Sequence, residues 1–286
     1  GKHLLGEKPF GIDQPANDAI LQAIQAHPEV LVRCSSEFPF IPGPYRIGQW
    51  IQEGRIGQII EVEAGFWHSS DLDPNKPINW KRVVAANGEY GCLGDLGMHV
   101  VHMPFRFGWF PRRVFASLSK VIRERPDKTG KRVPCETWDN AVLVCEVQQG
   151  EGEFLLFLST KRIAPGHANT WFLKVYGTAL SAEFTTKSPK QLAYMPYTPG
   201  GPQEWRVLDM PHLPPYPVIT GGIFEFGFSD AILQMFAAFL DELVHGREGM
   251  RQPFTCATPE ETALSHRLFT AALESHQRKC VVEMAS

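Results

Sequence analysis

Leu4-Leu5-Gly6-Glu7-Lys8-Pro9-Phe10-Gly11 is the stretch on which the interpretation of the whole sequence depends. A short apolar run leads into a lysine that is followed by proline and, after one aromatic residue, by glycine. Proline restricts the residue before it to extended backbone, so Lys8 is a cation held in a defined place. An X-Pro bond is also the ordinary site of a cis peptide. The stretch therefore predicts a positioned amine directly after a strand.

The residues that follow predict the end of a doubly wound sheet. Gln14 to Ala26 has the apolar spacing of an amphipathic helix, and His27-Pro28 ends it. Val30-Leu31-Val32 then predicts a short buried strand. Strand, crossover helix and strand is how a Rossmann-type sheet finishes, although no GxGxxG phosphate loop occurs in the sequence.

Beyond a Pro- and Gly-rich link at Pro39 to Pro44 the pattern changes. A helix is expected over 45–53, then an alternating strand over 60–66, and two hairpins over 141–159 and 171–184. Helices are expected over 228–244 and after the capping box at Thr258–Glu261. The predicted fold class is α/β plus α+β: residues 1–38 end a Rossmann domain, and 39–286 form an open, mostly antiparallel sheet with helices on one face.

A second motif, Gly94-Asp95-Leu96-Gly97-Met98-His99, supplies a candidate acid–base pair. In a helix that starts near Leu93, Asp95 and His99 lie four residues apart and are neighbours on one face. Alcohol oxidation needs a base at oxygen while hydride leaves carbon, and imidazole titrates in the required range. The carboxylate is expected to orient His99 or to accept a second substrate hydroxyl. His102 extends the stripe, so a divalent metal site stays open as an alternative, although we assign no metal.

Together the two motifs resemble the paired signature of the Gfo/Idh/MocA family of nicotinamide-dependent sugar and polyol oxidoreductases. The resemblance implies that NAD or NADP is the cofactor, that Lys8, Asp95 and His99 are catalytic, and that Glu7, Lys8 and Pro9 contact the cofactor. It also implies that the chain opens in the middle of the dinucleotide-binding domain. Two departures stand out, because many members have an arginine where Glu37 stands and an acidic residue where His102 stands.

Several residues are candidates for contacts with a sugar. Aromatic faces stack on sugar C–H groups, and polar side chains bind hydroxyls. Trp67-His68-Ser69-Ser70-Asp71 and Trp80-Lys81-Arg82 combine both features, and two further polar residues follow predicted strand ends. The assigned substrate contacts are His68, Trp80, Lys81, Arg82, Arg162 and His167.

The amino-acid composition limits the classes of binding partner. The 286 residues carry a net charge of −3 without a long basic run, which argues against nucleic acid. No apolar stretch approaches the roughly 20 residues of a membrane helix. The six cysteines lack CxxC pairing and are expected to be reduced and mostly buried. A homodimer or homotetramer formed through the open sheet is expected, in the cytoplasm or, with an export signal, in the periplasm.

The function predicted from these features is hydride transfer between NAD(P) and the hydroxyl or keto group of a sugar, inositol or related polyol. Two alternatives stay open. In one, the same pocket oxidises a glycoside transiently and returns the hydride, which gives redox-neutral cleavage. In the other, the chain is a non-catalytic sugar-binding protein of the same fold. A serine triad is disfavoured, because the sequence contains no GxSxG elbow.

Overall fold

The structure, a computed structural model, describes residues 1–210, 214–252 and 255–284. The α-helices in these ranges are α1 (Gln14–Gln25), α2 (Pro42–Gln52), α3 (Val84–Asn87), α4 (Met98–Arg106), α5 (Phe228–His245) and α6 (Pro259–Arg278). The strands are β1 (Leu4–Gly6), β2 (Val32–Cys34), β3 (Ile59–Trp67), β4 (Pro111–Ser119), β5 (Glu124–Pro126), β6 (Arg132–Pro134), β7 (Asn140–Gln149), β8 (Gly152–Lys161), β9 (Thr170–Gly177), β10 (Leu180–Thr185), β11 (Gln191–Pro196), β12 (Arg206–Asp209) and β13 (Val282–Glu283). Within the described ranges no helix has both the length and the apolar character needed to cross a bilayer.

The first 34 residues form one β-α-β unit, in which β1 and β2 pair in parallel. Asp13 caps α1, because its side chain accepts a hydrogen bond from the backbone N–H of Ala16 at 2.9 Å. The predicted helix is confirmed. The predicted strand lies two residues too early, since Val30 still belongs to a turn in which its N–H donates to the carbonyl of His27.

Nine strands form one large sheet in the order β12-β11-β10-β9-β3-β8-β7-β4-β13. Only β3 and β8 pair in parallel among these neighbours, so the sheet is mostly antiparallel, as predicted. Both predicted hairpins are present, as β7–β8 and β9–β10. A small ribbon of β5 and β6 stands apart from this sheet.

One face of the large sheet carries the core. Along β8, Phe154, Leu156 and Leu158 are buried, whereas Leu155 and Phe157 between them are not. This alternation is typical of a strand with one covered face. Helices α2, α4 and α6 contact strands of the sheet, and their apolar residues join the same core cluster.

Helix α6 joins the β-α-β unit to the large sheet. It contacts α1, β2 and β4, and the residue before its cap region pairs with β2 through an isolated bridge between Ala257 and Cys34. The predicted capping box is confirmed: the Thr258 hydroxyl accepts from the N–H of Glu261, and the Glu261 carboxylate accepts from the N–H of Thr258. Helix α6 thereby holds the β-α-β unit against the large sheet.

Helix α5 presents a different face from the predicted one. Sequence spacing places Ile232, Phe236, Phe239, Leu240 and Leu243 on the inner face. The structure instead leaves Phe236 and Leu240 exposed. The buried positions of α5 are Ala231, Gln234, Met235, Ala238, Asp241 and Glu242. The reason is that the polar members find partners, which makes their burial possible.

All six cysteines are unpaired, and five of them are buried. This agrees with the expectation of reduced, mostly buried thiols.

Candidate active site

The loop after β1 is held by hydrogen bonds from two helices. The Lys8–Pro9 peptide bond is cis, and Phe10 has a positive φ of 65°. The carbonyl of Pro9 accepts a hydrogen bond from His266 Nε2 at 2.8 Å, and the carbonyl of Phe10 accepts one from Asn17 Nδ2 at 2.8 Å. Because both partners are buried, the loop has a fixed backbone and Lys8 is held by it.

Gly11 and Glu7 complete this loop. Gly11 has a φ of +112°, and a Cβ there would lie 2.7 Å from the backbone nitrogen of Asn17. Glycine is therefore required at this position of the motif. Glu7 accepts a hydrogen bond from the Ser35 hydroxyl at 3.3 Å, which links the ends of the two parallel strands.

Asp95 collects three cations. It lies in a π-helical turn, Leu93–Gly97, that leads into α4. Oδ1 accepts a hydrogen bond from Lys8 Nζ at 3.0 Å, and Oδ2 lies 3.2 Å from Lys81 Nζ and 3.0 Å from Arg162 Nη2. Burial alone would raise the pKa of Asp95, but these three charges outweigh burial and hold it well below its ordinary value. Asp95 is an anion that organises its neighbours.

His99 lies beside this cluster and faces Glu37. Its Nδ1 is 3.8 Å from Glu37 Oε1 and has no hydrogen-bond partner in the described part of the chain. The ring packs between Phe38 and Phe66, with centroid distances of 5.2 and 5.6 Å. Burial, followed by the charge of Lys8, lowers the pKa of His99 to about 3. The imidazole is neutral at neutral pH.

The relation between Asp95 and His99 differs from the expected one. The π-helical turn at 93–97 changes the angle between residues four apart only slightly, so Asp95 and His99 stay neighbours and the carboxylate charge acts on the imidazole. No hydrogen bond joins the two side chains in the described part of the chain. Both Asp95 oxygens are occupied by cations. The carboxylate nearest to the imidazole is instead Glu37, to which sequence reasoning gave no role although it was noted as a departure.

A small polar cavity of about 90 Å³ adjoins Asp95. His68 lies on its wall, and burial lowers the pKa of this imidazole. Lys81 and Arg162 also line it, so three of the six predicted substrate contacts meet here. The full lining is His68, Ser70, Asp71, Lys76, Asn79, Lys81, Asp95, Leu96 and Arg162.

Arg82 and Trp80 are placed differently. Arg82 is completely buried, and its guanidinium binds Asp71 at 2.6 Å and also Asp139. It does not reach the cavity, so the prediction of a substrate contact does not fit this residue. Trp80 is 56% exposed, and Lys81 Nζ lies 5.6 Å from its ring centroid, beside the cavity.

His167 lies at a different cavity, of about 420 Å³. Its ring packs against Trp67 at a centroid distance of 4.7 Å, and Phe172 and Lys174 also line this space. None of the residues around Asp95 lines it. The structure therefore does not bring His167 to the candidate active site.

His102 belongs to a separate buried network. Its Nε2 lies 2.6 Å from Arg106 Nη2, so this nitrogen accepts, and Nδ1 is 3.7 Å from Glu261 Oε2. The stripe weighed as a metal site is thus divided among three environments. Among the described residues no group of three or more His, Cys, Asp or Glu side chains is arranged to hold a metal ion.

Comparison with known proteins points to one family. Residues 45–183 match the GFO/IDH/MocA C-terminal domain. Levoglucosan dehydrogenase of Pseudarthrobacter phenanthrenivorans is 30% identical over 131 residues, which are 46% of this chain and 33% of that protein. An uncharacterized oxidoreductase of Synechocystis is 27% identical over 179 residues, 62% of this chain and 46% of that protein. The matched regions thus span less than half of each curated relative.

Solved structures share the fold at low identity. Levoglucosan dehydrogenase in complex with NADH superposes with a TM-score of 0.85 at 21% identity, covering 99% of this chain and 74% of the other. An inositol dehydrogenase homolog complexed with NAD+ from Azotobacter vinelandii has a TM-score of 0.81 at 19% identity, with coverage of 98% and 72%. These similarities establish the architecture of nearly the whole chain.

Proposed function

We propose that this chain, whose residues 45–183 match the GFO/IDH/MocA C-terminal domain, acts as an oxidoreductase that moves hydride between a nicotinamide cofactor and a hydroxyl or keto group of a sugar or polyol. One observation carries the proposal. Lys8, from the loop after β1, lies 3.0 Å from Asp95, and both charges act on the buried imidazole of His99. Perturbed titratable groups that converge from distant parts of a chain are typical of active sites.

The residues present fit the nicotinamide end of NAD or NADP. Dinucleotides bind outside the carboxyl ends of parallel strands, and β1 and β2 end at Gly6 and Cys34, directly before Glu7-Lys8-Pro9 and Ser35-Ser36. The buried Ser36 hydroxyl has no hydrogen-bond partner in the described ranges and offers a donor there. Residues 1–38 are accordingly proposed to belong to a dinucleotide-binding domain, and 39–286 to a substrate domain.

In the oxidative direction the carbinol loses a hydride from carbon and a proton from oxygen. A bound nicotinamide ring supplies the hydride acceptor. His99 is neutral, and with Nδ1 toward Glu37 its Nε2 is the nitrogen that takes the hydroxyl proton. Lys8 uses two of its three N–H donors on Asp95 and keeps one for the reacting oxygen, whose developing negative charge it stabilises.

The substrate is proposed to be a sugar or a related polyol, in line with relatives named for levoglucosan and inositol. His68, Lys81 and Arg162 provide polar contacts in the 90 Å³ cavity, and the exposed Trp80 offers an aromatic face beside it. A second copy of the chain is proposed to cover the open face of the large sheet.

A cofactor-reduction screen tests this proposal. The full-length protein is assayed with NAD and with NADP against sugars, inositols and aryl glycosides. We expect reduction with at least one alcohol, and a loss of about 10³-fold in Lys8→Met and in His99→Gln, because each removes a group that acts on the reacting oxygen. Lys174→Gln, on the open sheet face, is the matched control.

Three outcomes would contradict the proposal. Full turnover in both variants would remove the assigned roles. Aryl release without net reduced cofactor would favour the redox-neutral glycosidase. Sugar binding without any turnover would favour a binding protein.

A further inference from the structure

The polar cavity beside Asp95 contains more positive charge than its carboxylates neutralise. Asp95 forms ion pairs with Lys8, Lys81 and Arg162. The next carboxylate along the wall, Asp71, receives Lys76 at 2.9 Å and shares Arg82 with Asp139.

A sixth cation, Arg125, donates to the backbone carbonyls of Asp71, Asp73 and Lys76, and not to a carboxylate. The residues that line the cavity comprise three cations and two carboxylates, an excess of one positive charge, and the connected network around it holds six cations and three carboxylates. Glu7 and Glu37 lie near Lys8 and offset charge in that outer part of the network, but like Lys8 they do not line the cavity.

The same place is short of hydrogen-bond acceptors. Arg162, on the cavity wall, is 2% exposed, and its Nε is buried without a partner in the described ranges. His68 Nε2 is also buried and unpartnered. Lys81 Nζ, on the cavity wall, makes one hydrogen bond, to Asp95, and its side chain is 38% exposed. Burying such charges is costly unless acceptors or counter-charges meet them.

We propose that this cavity binds an anionic oxygen group of the substrate, a carboxylate or a phosphate, so that the protein acts on an acidic sugar or polyol. The inference rests on the proposed function and specifies its substrate class. A volume of about 90 Å³ holds one such group but not a sugar ring. The group would accept from Lys81 and Arg162, and charge-assisted hydrogen bonds of this kind are the strong ones.

The alternative is that the cations serve only the reacting oxygen. Lys8 is assigned to that task, because two of its N–H groups bind Asp95 and the third is left for the reacting oxygen. The cavity on the other side of Asp95 is lined by three further cations, Lys76, Lys81 and Arg162. A neutral hydroxyl bound there would leave the excess of positive charge unchanged. The proposal and this alternative predict different contributions of Lys81 to the affinity for acidic and for neutral ligands.

Binding, measured by calorimetry on the full-length protein without turnover, separates these readings from each other and from the proposed function. The ligands are glucuronate and gluconate, glucose 6-phosphate, and their neutral twin glucose, in low and in high salt. We expect at least one acid to bind about tenfold more tightly than glucose, with the advantage reduced by salt.

Lys81→Gln is expected to remove this advantage of about tenfold, and to weaken glucose binding by a smaller factor than it weakens binding of the acid. Lys174→Gln, a lysine of similar exposure that pairs with Glu63, is expected to change neither. Comparison of the affinities for the carboxylate ligands and for glucose 6-phosphate shows which anion is preferred. The inference is overturned if acids and glucose bind with equal affinity, or if Lys81→Gln affects both equally, even where the cofactor screen succeeds. If the screen fails, anion-selective binding still supports the anion site.

Discussion

At the scale of single residues, Glu37 is the side chain that distinguishes this site. Its carboxylate is the acidic group nearest to His99 Nδ1, at 3.8 Å. Burial raises the pKa of Glu37, and Lys8 nearby counteracts that effect. We interpret Glu37 as a positioning residue, which keeps the proton on Nδ1 and leaves Nε2 free for the substrate.

Glu37→Gln tests this role. We expect kcat to fall about tenfold with little change in KM, because the amide fills the same space without the charge that orients the imidazole. The acidic limb of the pH–rate profile should also move, since Glu37, whose own pKa is raised by burial, titrates beside the imidazole and the amide does not. Glu29→Gln, on the surface, serves as the control. Unchanged kcat and a superimposable pH profile would mean that Glu37 only fills space.

The sequence predicted part of this site for a physical reason. Lys8 and the Asp95–His99 motif lie in segments whose local chemistry is unusual: a lysine fixed by proline, and a carboxylate close to an imidazole. Glu37 and the pairing of Asp95 with Lys81 depend instead on contacts between residues far apart in the chain. Such contacts leave no trace in local spacing.

At the scale of elements, Arg82 holds the segment between β3 and the turn at Leu93–Gly97 in place through two ion pairs. The guanidinium joins Asp71, in the loop after β3, to Asp139, directly before β7. Asp139 also accepts from the N–H groups of Val121 and Ile122, at 2.6 and 3.0 Å. Arg82 is therefore structural and supports the wall of the polar cavity without entering it.

Arg82→Met is expected to lower the free energy of unfolding by about 3–5 kcal/mol, because it leaves buried carboxylates without their partner. Urea denaturation measures the loss. Arg112→Met, which removes an exposed arginine, should cost less than about 1 kcal/mol. If Arg82→Met is as stable as the parent and instead shows altered substrate affinity, the sequence-based assignment of Arg82 as a substrate contact was right.

The elements differ in how far their sequence reveals them. The strands β7 and β8 were predicted because one covered face imposes strict alternation. The inner face of α5 was not, because it is partly polar: Gln234 exchanges two hydrogen bonds with the backbone of Tyr216, and Glu242 binds Arg33. Apolar periodicity cannot indicate a buried face whose polar groups are satisfied from distant segments.

At the scale of the whole molecule, buried imidazoles make stability depend on pH. Burial lowers the pKa of His68, His99, His102 and His266 below the ordinary value. The unfolded chain then binds protons that the folded chain does not. Stability is therefore highest above about pH 6.5 and falls as the pH decreases below that value. The raised pKa of Glu37 acts in the opposite direction and offsets part of the loss.

Urea denaturation at pH 7 and pH 5 measures this dependence. We expect lower stability at pH 5, and a smaller difference in His99→Gln, which removes one buried titrating group. His27→Gln, at an exposed position, should leave the difference unchanged. Equal stability of the parent at both pH values would contradict the assignment of neutral buried imidazoles.

The open face of the large sheet carries an apolar row across three strands. Phe115, Val144 and Phe157 are cross-strand neighbours on β4, β7 and β8, and Phe115 is 41% exposed. We expect a second copy to cover this row, because exposed apolar patches of this kind mark interfaces. Phe157→Glu should shift the mass in light scattering to the monomer, whereas Glu153→Gln should not. A parent that is monomeric at all concentrations would contradict this prediction.

The most direct test of the proposed hydride transfer follows an isotope label. A substrate from the cofactor screen is labelled with deuterium at the carbinol carbon, and the full-length protein is incubated with it and the oxidised cofactor. We expect deuterium in the reduced nicotinamide, with transfer abolished in Lys8→Met and His99→Gln and retained in Lys174→Gln. Deuterium that remains in the sugar, or that reaches the cofactor equally well without the amine and the imidazole, would contradict it.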